Sequence, residues 1–165
     1  MSGARIIDQA MLDAASAAAR ESPRGRRNRN FHTTDEAQCH RLLNAIEPGS
    51  YVAPHRHLDP TKDETIIVLR GRLGCVVFDE AGSIVQSWVL AADSGRVGID
   101  IPHGTYHTLL ALEPGTVFFE AKAGPYLPLD EAELAPWAPR EGEPGCAGFR
   151  AMIEQTIRNL QAVSQ

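Results

Sequence analysis

Gly49-Ser50-Tyr51-Val52-Ala53-Pro54-His55-Arg56-His57 is followed, after Leu58-Asp59-Pro60-Thr61-Lys62-Asp63, by Glu64-Thr65-Ile66-Ile67-Val68-Leu69-Arg70-Gly71. On an extended strand, residues two apart project to the same face, so the His55 and His57 imidazoles would meet at one spot while Arg56 faces away. Tyr51 shares their parity and is expected either to line the same cavity or only to pack it. Glu64 opens a run rich in β-branched residues that fits a half-buried pleated surface. Further on, Pro102-His103-Gly104-Thr105-Tyr106-His107 makes a turn that delivers His107 to the start of another apolar run. Tyr106, of opposite parity to His107, is expected on the outer face.

Outward from this stretch, apolar runs alternate with turn residues: Gly74–Phe78, Ile84–Leu90, Val97–Ile101, Tyr106–Leu112 and Thr116–Ala121, broken at Asp79–Gly82, Asp93–Gly95 and Glu113–Gly115. About eight short strands at regular spacing, with no long helical pattern between them, predict an antiparallel sandwich or barrel. Before it, Ile6, Ile7, Ala10, Met11, Ala14, Ala15 and Ala18 recur at helical spacing and predict an amphipathic helix. Between residues 20 and 30, Arg20, Arg24, Arg26, Arg27 and Arg29 surround Pro23 and Gly25. This stretch reads either as a solvated basic arm or as an arm folded over the domain, offering guanidinium groups to an anionic ligand. After the barrel, Gly124-Pro125-Tyr126-Leu127-Pro128 opens a proline-rich connector. A closing helix follows, its stripe formed by Phe149, Met152, Ile153, Ile157, Leu160 and Val163 and expected to pack on the barrel or on a second subunit. The expected divisions are a helix and basic arm over 1–30, a barrel over 31–128, and connector plus helix over 129–165.

Composition narrows the classes. The 165 residues suit one domain, and 43% hydrophobic with 22% charged residues is ordinary for a globular chain. Sixteen basic against twenty-one acidic side chains give a net charge of −5, which argues against nucleic acid as the main partner. No run of eighteen apolar residues exists to span a membrane as a helix. Cys39, Cys75 and Cys146 are scattered with no close pair, as suits a reducing compartment, and a cytoplasmic location is expected. Cys75 reads as a small core residue; His40 and His103 read as structural.

Three neutral imidazoles and one carboxylate (His55, His57, His107 and Glu64) suit a borderline divalent ion such as Fe, Mn, Ni, Cu or Zn better than calcium or magnesium. Four protein ligands leave one or two positions of a five- or six-coordinate ion open for chemistry. A closed structural site would favour a cysteine-rich tetrahedron, which this set lacks.

The spacing glycine, five residues, H-x-H, then glutamate, six residues, glycine, from Gly49 to Gly71, resembles the first motif of the cupins. Pro102-His103-Gly104-Thr105-Tyr106-His107 resembles the core of the second. Six residues separate His57 from Glu64 where three or four are usual, and the insert is expected to bulge without moving the strand of Glu64. In the second motif, Ala111 stands where an asparagine is usual, and Gly95 lies one position further from Pro102. The segments Arg27–His32, Arg41–Ala45, Pro48–His57, Lys62–Thr65 and Gly124–Pro128 together resemble the WbuC family of cupin-fold metalloproteins, over about residues 22–139. That resemblance implies a double-stranded β-helix (cupin jelly roll) with a helix at each end, one metal held by His55, His57, Glu64 and His107, and a link to surface-polysaccharide synthesis.

Two functional classes are expected to compete. In one, the chain is a metal-dependent isomerase, lyase or oxygenase acting on a small anionic or sugar-derived metabolite. Lys62 or an arm arginine such as Arg27 would fix the ligand's charge, and Lys62, Tyr51 and His32 are the candidate acid–base groups. In the other, it is a non-catalytic, metal-dependent module that binds or senses a sugar or nucleotide-sugar. A homodimer is expected from the need to cover sheet edges and from the habits of cupins.

Overall fold

Asp8 caps the first helix: its carboxylate accepts the amide hydrogen of Met11 at 2.9 Å, satisfying a donor that the first turn leaves open. In this computed structural model, which describes residues 3–163 (the backbone alone for 160–163), α1 runs Gln9–Glu21. Eight strands follow: β1 (Arg26–Asn30), β2 (Cys39–Ile46), β3 (Glu64–Arg70), β4 (Arg72–Phe78), β5 (Ile84–Ala91), β6 (Gly98–Ile101), β7 (Tyr106–Ala111) and β8 (Thr116–Ala123). Helix α2 (Cys146–Val163) closes the chain. A five-stranded sheet in the order β1-β2-β8-β3-β6 faces a three-stranded sheet in the order β5-β4-β7, and every pairing is antiparallel. The architecture is a double-stranded β-helix, or jelly roll, with a helix at each end.

Period-two alternation decides what each face does. Ile46, Ile66, Val68, Ile101 and Phe118 of the larger sheet meet Leu73, Cys75, Leu90, Leu109 and Ala111 of the smaller one inside the barrel. On the outer face of the larger sheet, α1 lays Leu12, Ala15 and Ala19 over Leu43, Ala45 and Val117. On the outer face of the smaller sheet, Ile153 and Ile157 of α2 pack on Val76, Phe78, Tyr106 and Leu110. The side chains of Leu160 and Val163, expected to continue that stripe, lie outside the described residues. Each large apolar side chain buried this way stabilises the fold by about 1.5–3 kcal/mol.

Two glycines make close approaches possible. At Gly71, between β3 and β4, φ is +76° and a Cβ would stand 2.8 Å from the Cα of Thr116, so the tight turn excludes a side chain. At Gly74 a Cβ would come within 2.7 Å of Ile157 Cδ1, which lets α2 settle against β4.

The structure corrects three expectations. The arginine-rich stretch is neither a solvated arm nor a lid over the barrel. Arg26–Asn30 forms β1, paired with β2 from Arg26↔Ile46 to Asn30↔Leu42, so the barrel begins inside the segment assigned to the arm. Ile6 and Ile7 precede α1 and are exposed. The His55–His57 segment is no ladder strand: His55 makes isolated bridges to His107 and Leu134. The connector supplies that second bridge. Among the described residues no helix is long and apolar enough to cross a membrane.

Candidate metal centre

Four sequence-predicted residues meet in the barrel. His55 and His107 exchange both backbone hydrogen bonds, with His55 N donating to His107 O at 3.1 Å and His107 N donating to His55 O at 2.9 Å. Such a pair sets two side chains directly opposite each other, and here the ring centroids lie 4.6 Å apart. On its other side the segment is held by the connector. Ala135 N donates to Pro54 O at 3.0 Å and Arg56 N donates to Glu133 O at 2.9 Å. Gly104 N donates to His57 O at 2.7 Å. The insert 58–63 closes as a turn, with Lys62 N donating to Asp59 O at 3.0 Å, and β3 then begins at Glu64.

The histidine tautomers follow from their partners. Nδ1 of His55 lies 3.0 Å from Ala53 O and Nδ1 of His107 lies 2.9 Å from Thr105 O. A carbonyl only accepts, so each Nδ1 carries the hydrogen and each Nε2 keeps a lone pair. His107 Nε2 stands 3.2 Å from Glu64 Oε2, and His57 Nε2 stands 2.9 Å from Glu64 Oε1. A neutral His107 thus turns one acceptor toward another, an arrangement that a proton or a cation relieves. Ligand atoms of His55, His57 and Glu64 lie within 4.8 Å of one another. Nitrogen-rich donors with one carboxylate fit a divalent transition ion, and the carbonyls behind the imidazoles orient the rings as outer partners of a metal site do.

Electrostatics follow the same plan. Burial, helped by the neighbouring His107, pushes the His55 pKa down to about 3, so this ring is held neutral. Burial works against the Glu64 carboxylate, but the adjoining His107 and His57 imidazoles and the charge of Lys122 outweigh it and hold its pKa well below the usual range.

Lys122 and Glu120, absent from the sequence-based reading, complete the cluster. Lys122 is the cross-strand partner of Glu64 and points into the barrel with it. Its Nζ donates to Glu64 Oε1 at 2.7 Å and lies 2.9 Å from Glu120 Oε1. Asn44 Nδ2 donates to Glu120 Oε2 at 2.6 Å. Burial disfavours the Lys122 ammonium, yet the two carboxylates raise its pKa above the ordinary value. Glu133 Oε1 lies 3.9 Å from His57 Nδ1 and accepts Leu58 N at 3.0 Å. A parity signal for Glu120 and Lys122 existed, since they share the parity of Phe118, a barrel-core residue.

The other candidates go elsewhere. Tyr51 donates its hydroxyl to Pro139 O at 2.5 Å and meets Phe149 edge-on. Its shared parity with His55 has no force because residues 51–54 are not a strand. Lys62 is buried and donates to Pro125 O at 2.9 Å, which ties up a cation expected to face the ligand. His32 stacks on His40 at 4.0 Å, and its Nδ1 accepts Arg41 N at 3.2 Å. Arg27 is paired with Ala45, so it lies on the outer face under α1, in a groove of about 310 Å³ with Arg29, Ala14 and Ala18. That face is opposite the four ligands. Arg56 turns away as expected, its guanidinium 4.2 Å above the Tyr106 ring and bonded to Glu80. Cys75 is core, its thiol pushed up to about 12 by burial.

Solved structures similar to this chain share its fold. A conserved protein of unknown function from Streptococcus pyogenes is 13% identical, over 77% of this chain and 93% of that one, with a TM-score of 0.51. The pro-11S globulin of pumpkin is 20% identical, over 64% of this chain and 27% of that one, at 0.50. A cupin-2 domain protein from Shewanella frigidimarina is 23% identical, over 59% and 79%, at 0.45. No curated protein matches the sequence significantly. Residues 7–90, half of the chain, match the family described as a domain of unknown function, DUF6016. This chain belongs to the DUF6016 family, and it carries that family's sequence on a double-stranded jelly roll.

Proposed function

We propose that this protein is a metal-binding cupin in which His55, His57, Glu64 and His107 hold one divalent transition metal ion (Fe, Mn, Ni, Cu or Zn) and a small anionic or sugar-derived metabolite binds beside it. We read that metabolite as one of surface-polysaccharide synthesis, on the resemblance to the WbuC family, and the protein as a cytoplasmic homodimer. The observation that carries the reading is the commitment of Nδ1 of His55 and His107 to carbonyls, which leaves the Nε2 lone pair of both for a metal ion, that of His107 beside Glu64. When bound, such an ion supplies a Lewis-acid centre for a ligand oxygen. The chain's own part is to orient the rings, keep His55 neutral and hold Glu64 ionised.

A second reading, the binding or sensing module, is favoured by one observation. Tyr51, Lys62 and His32, the candidate acid–base groups, are engaged with Pro139, Pro125 and Arg41. Elemental analysis of untagged wild type beside His107→Ala tests the metal reading: about one equivalent of metal in wild type, as a preorganised site holds, should be lost in the variant. No metal in wild type after reconstitution would overturn it. Incubation with sugar phosphates and keto acids then separates the readings, because turnover changes a mass and a binding module gives saturation without one.

A further inference from the structure

We propose that Lys122 is the residue by which this metal centre recognises an anionic ligand, with Glu120 and Asn44 holding its ammonium in place. The inference rests on the metal-binding reading and assigns the ligand-charge role that Lys62 and Arg27 do not fill.

Among the described residues Lys122 is the one lysine or arginine within hydrogen-bond distance of any of the four ligand side chains. Its side chain is 21% exposed while that of Glu64 is 5% exposed, so the ammonium reaches from the buried carboxylate toward accessible space. An ammonium has three donors. One is given to Glu64 Oε1; Glu120 Oε1 lies 2.9 Å away as an ion-pair partner without accepting a hydrogen bond.

Glu120 explains why two carboxylates surround one lysine. If Lys122 served only to neutralise Glu64, Glu64 would suffice as its partner. When a divalent ion takes over the charge of Glu64, a lysine at 2.7 Å would be left repelling that ion. Glu120 keeps the ammonium compensated at that point, and Asn44, donating to the other oxygen of Glu120, fixes the carboxylate. Lys122 is then released from Glu64 in charge but held in position, with donors free for an acceptor bound at the ion. A carboxylate-type anion answers both the ion and the ammonium, and a charge-assisted hydrogen bond is the stronger kind.

The experiment loads the full chain with Co(II) and titrates acetate and, separately, imidazole against the visible spectrum. It compares wild type, Lys122→Met, and the double variant Lys122→Met with Glu120→Gln. The double variant removes one charge of each sign, so it keeps the cluster's net charge and protects the test if the single variant folds poorly. Acetate affinity should fall at least about tenfold in the variants, as for loss of one hydrogen bond to a charged group, while imidazole, a neutral metal ligand, binds unchanged. Equal weakening of both ligands, or of neither, overturns the proposal and leaves Lys122 as a positioning residue for Glu64. A wild type that takes up no cobalt sinks the metal reading first, and this inference with it.

Discussion

On the three-stranded sheet, β4 and β7 are buried along nearly their whole length, with Leu73, Cys75 and Leu109 toward the barrel and Val76, Phe78 and Leu110 under α2. His107 is the only titratable group that this sheet contributes to the cluster. On the five-stranded sheet, the barrel face mixes Ile66, Val68 and Phe118 with Glu64, Glu120, Lys122 and Asn44. The charged side of the site is thus laid on one sheet, and the other gives it a dry wall. Low-dielectric surroundings strengthen each interaction within the cluster and make every unpaired group costly. The polar set accordingly runs from Asn44 through Glu120, Lys122 and Glu64 to the histidines, with the Glu120–Lys122 link an ion pair that leaves Glu120 Oε1 without a hydrogen bond.

The comparison breaks most readily at His107, the apolar sheet's one contribution. His107→Ala should abolish metal retention, an effect larger than the roughly 10–100-fold typical of outer-shell partners, and metal analysis reads it directly. Retention in that variant would mean the five-stranded sheet and the His55 segment suffice. Next comes Ile157→Ala, under the apolar sheet. Truncating a buried side chain that packs this closely should cost about 2–5 kcal/mol in chemical denaturation with little change in metal content. Loss of metal without loss of stability would show that the wall and the site are not separable in this way.

Acid should act on the polar side. Burial holds His55 neutral in the folded chain, with a pKa of about 3 against 6.5 when free. The unfolded chain therefore binds the extra proton as pH drops below about 6.5, and stability, full above that pH, falls progressively toward pH 3. Glu64 adds loss of the same sign below about 4.5, because its folded carboxyl ionises more readily than in the unfolded chain. Urea midpoints of the metal-free protein should therefore fall more steeply between pH 7 and pH 5 in wild type than in His55→Gln, since about 6.5 is the ordinary histidine value. Parallel slopes would remove His55 as the cause. The smallest effect belongs to the outer face. Arg27→Ala should shift stability by no more than about 0.5 kcal/mol and leave metal and acetate binding unchanged. A clear change in either would bring the α1–β1 groove into the site.

The alternation of turn and apolar run made the strands from β3 to β8 legible, and the motif spacing named all four residues that the structure brings together. Three features were hidden for physical reasons. β1 reads as a loop because Arg26-Arg27-Asn28-Arg29-Asn30 has no apolar face: as an edge strand it needs backbone hydrogen bonds more than burial. Lys122 and Glu120 were masked because β8 is covered on both sides. Val117 and Phe119, under α1, look like the core face, and Glu120 and Lys122, of the opposite parity, look solvent-facing. Tyr51 and His55 were joined by a parity argument that needs a continuous strand, which Pro54 and the isolated bridge at His55 do not provide.

The hold of the connector on the His55 segment has a consequence for the order in which the molecule is made. Every strand and all four candidate ligands have emerged from the ribosome once residue 123 is out. The stretch that carries His55 and His57, however, lacks its second edge until Glu133, Leu134 and Ala135 arrive to bond Pro54 and Arg56. Folding of the barrel can therefore run ahead of the site it contains. A nascent chain halted at Pro128 would have its jelly roll but only one flank of its histidine segment fastened, so the competence to take up an ion is acquired after the strands are complete rather than as part of collapse.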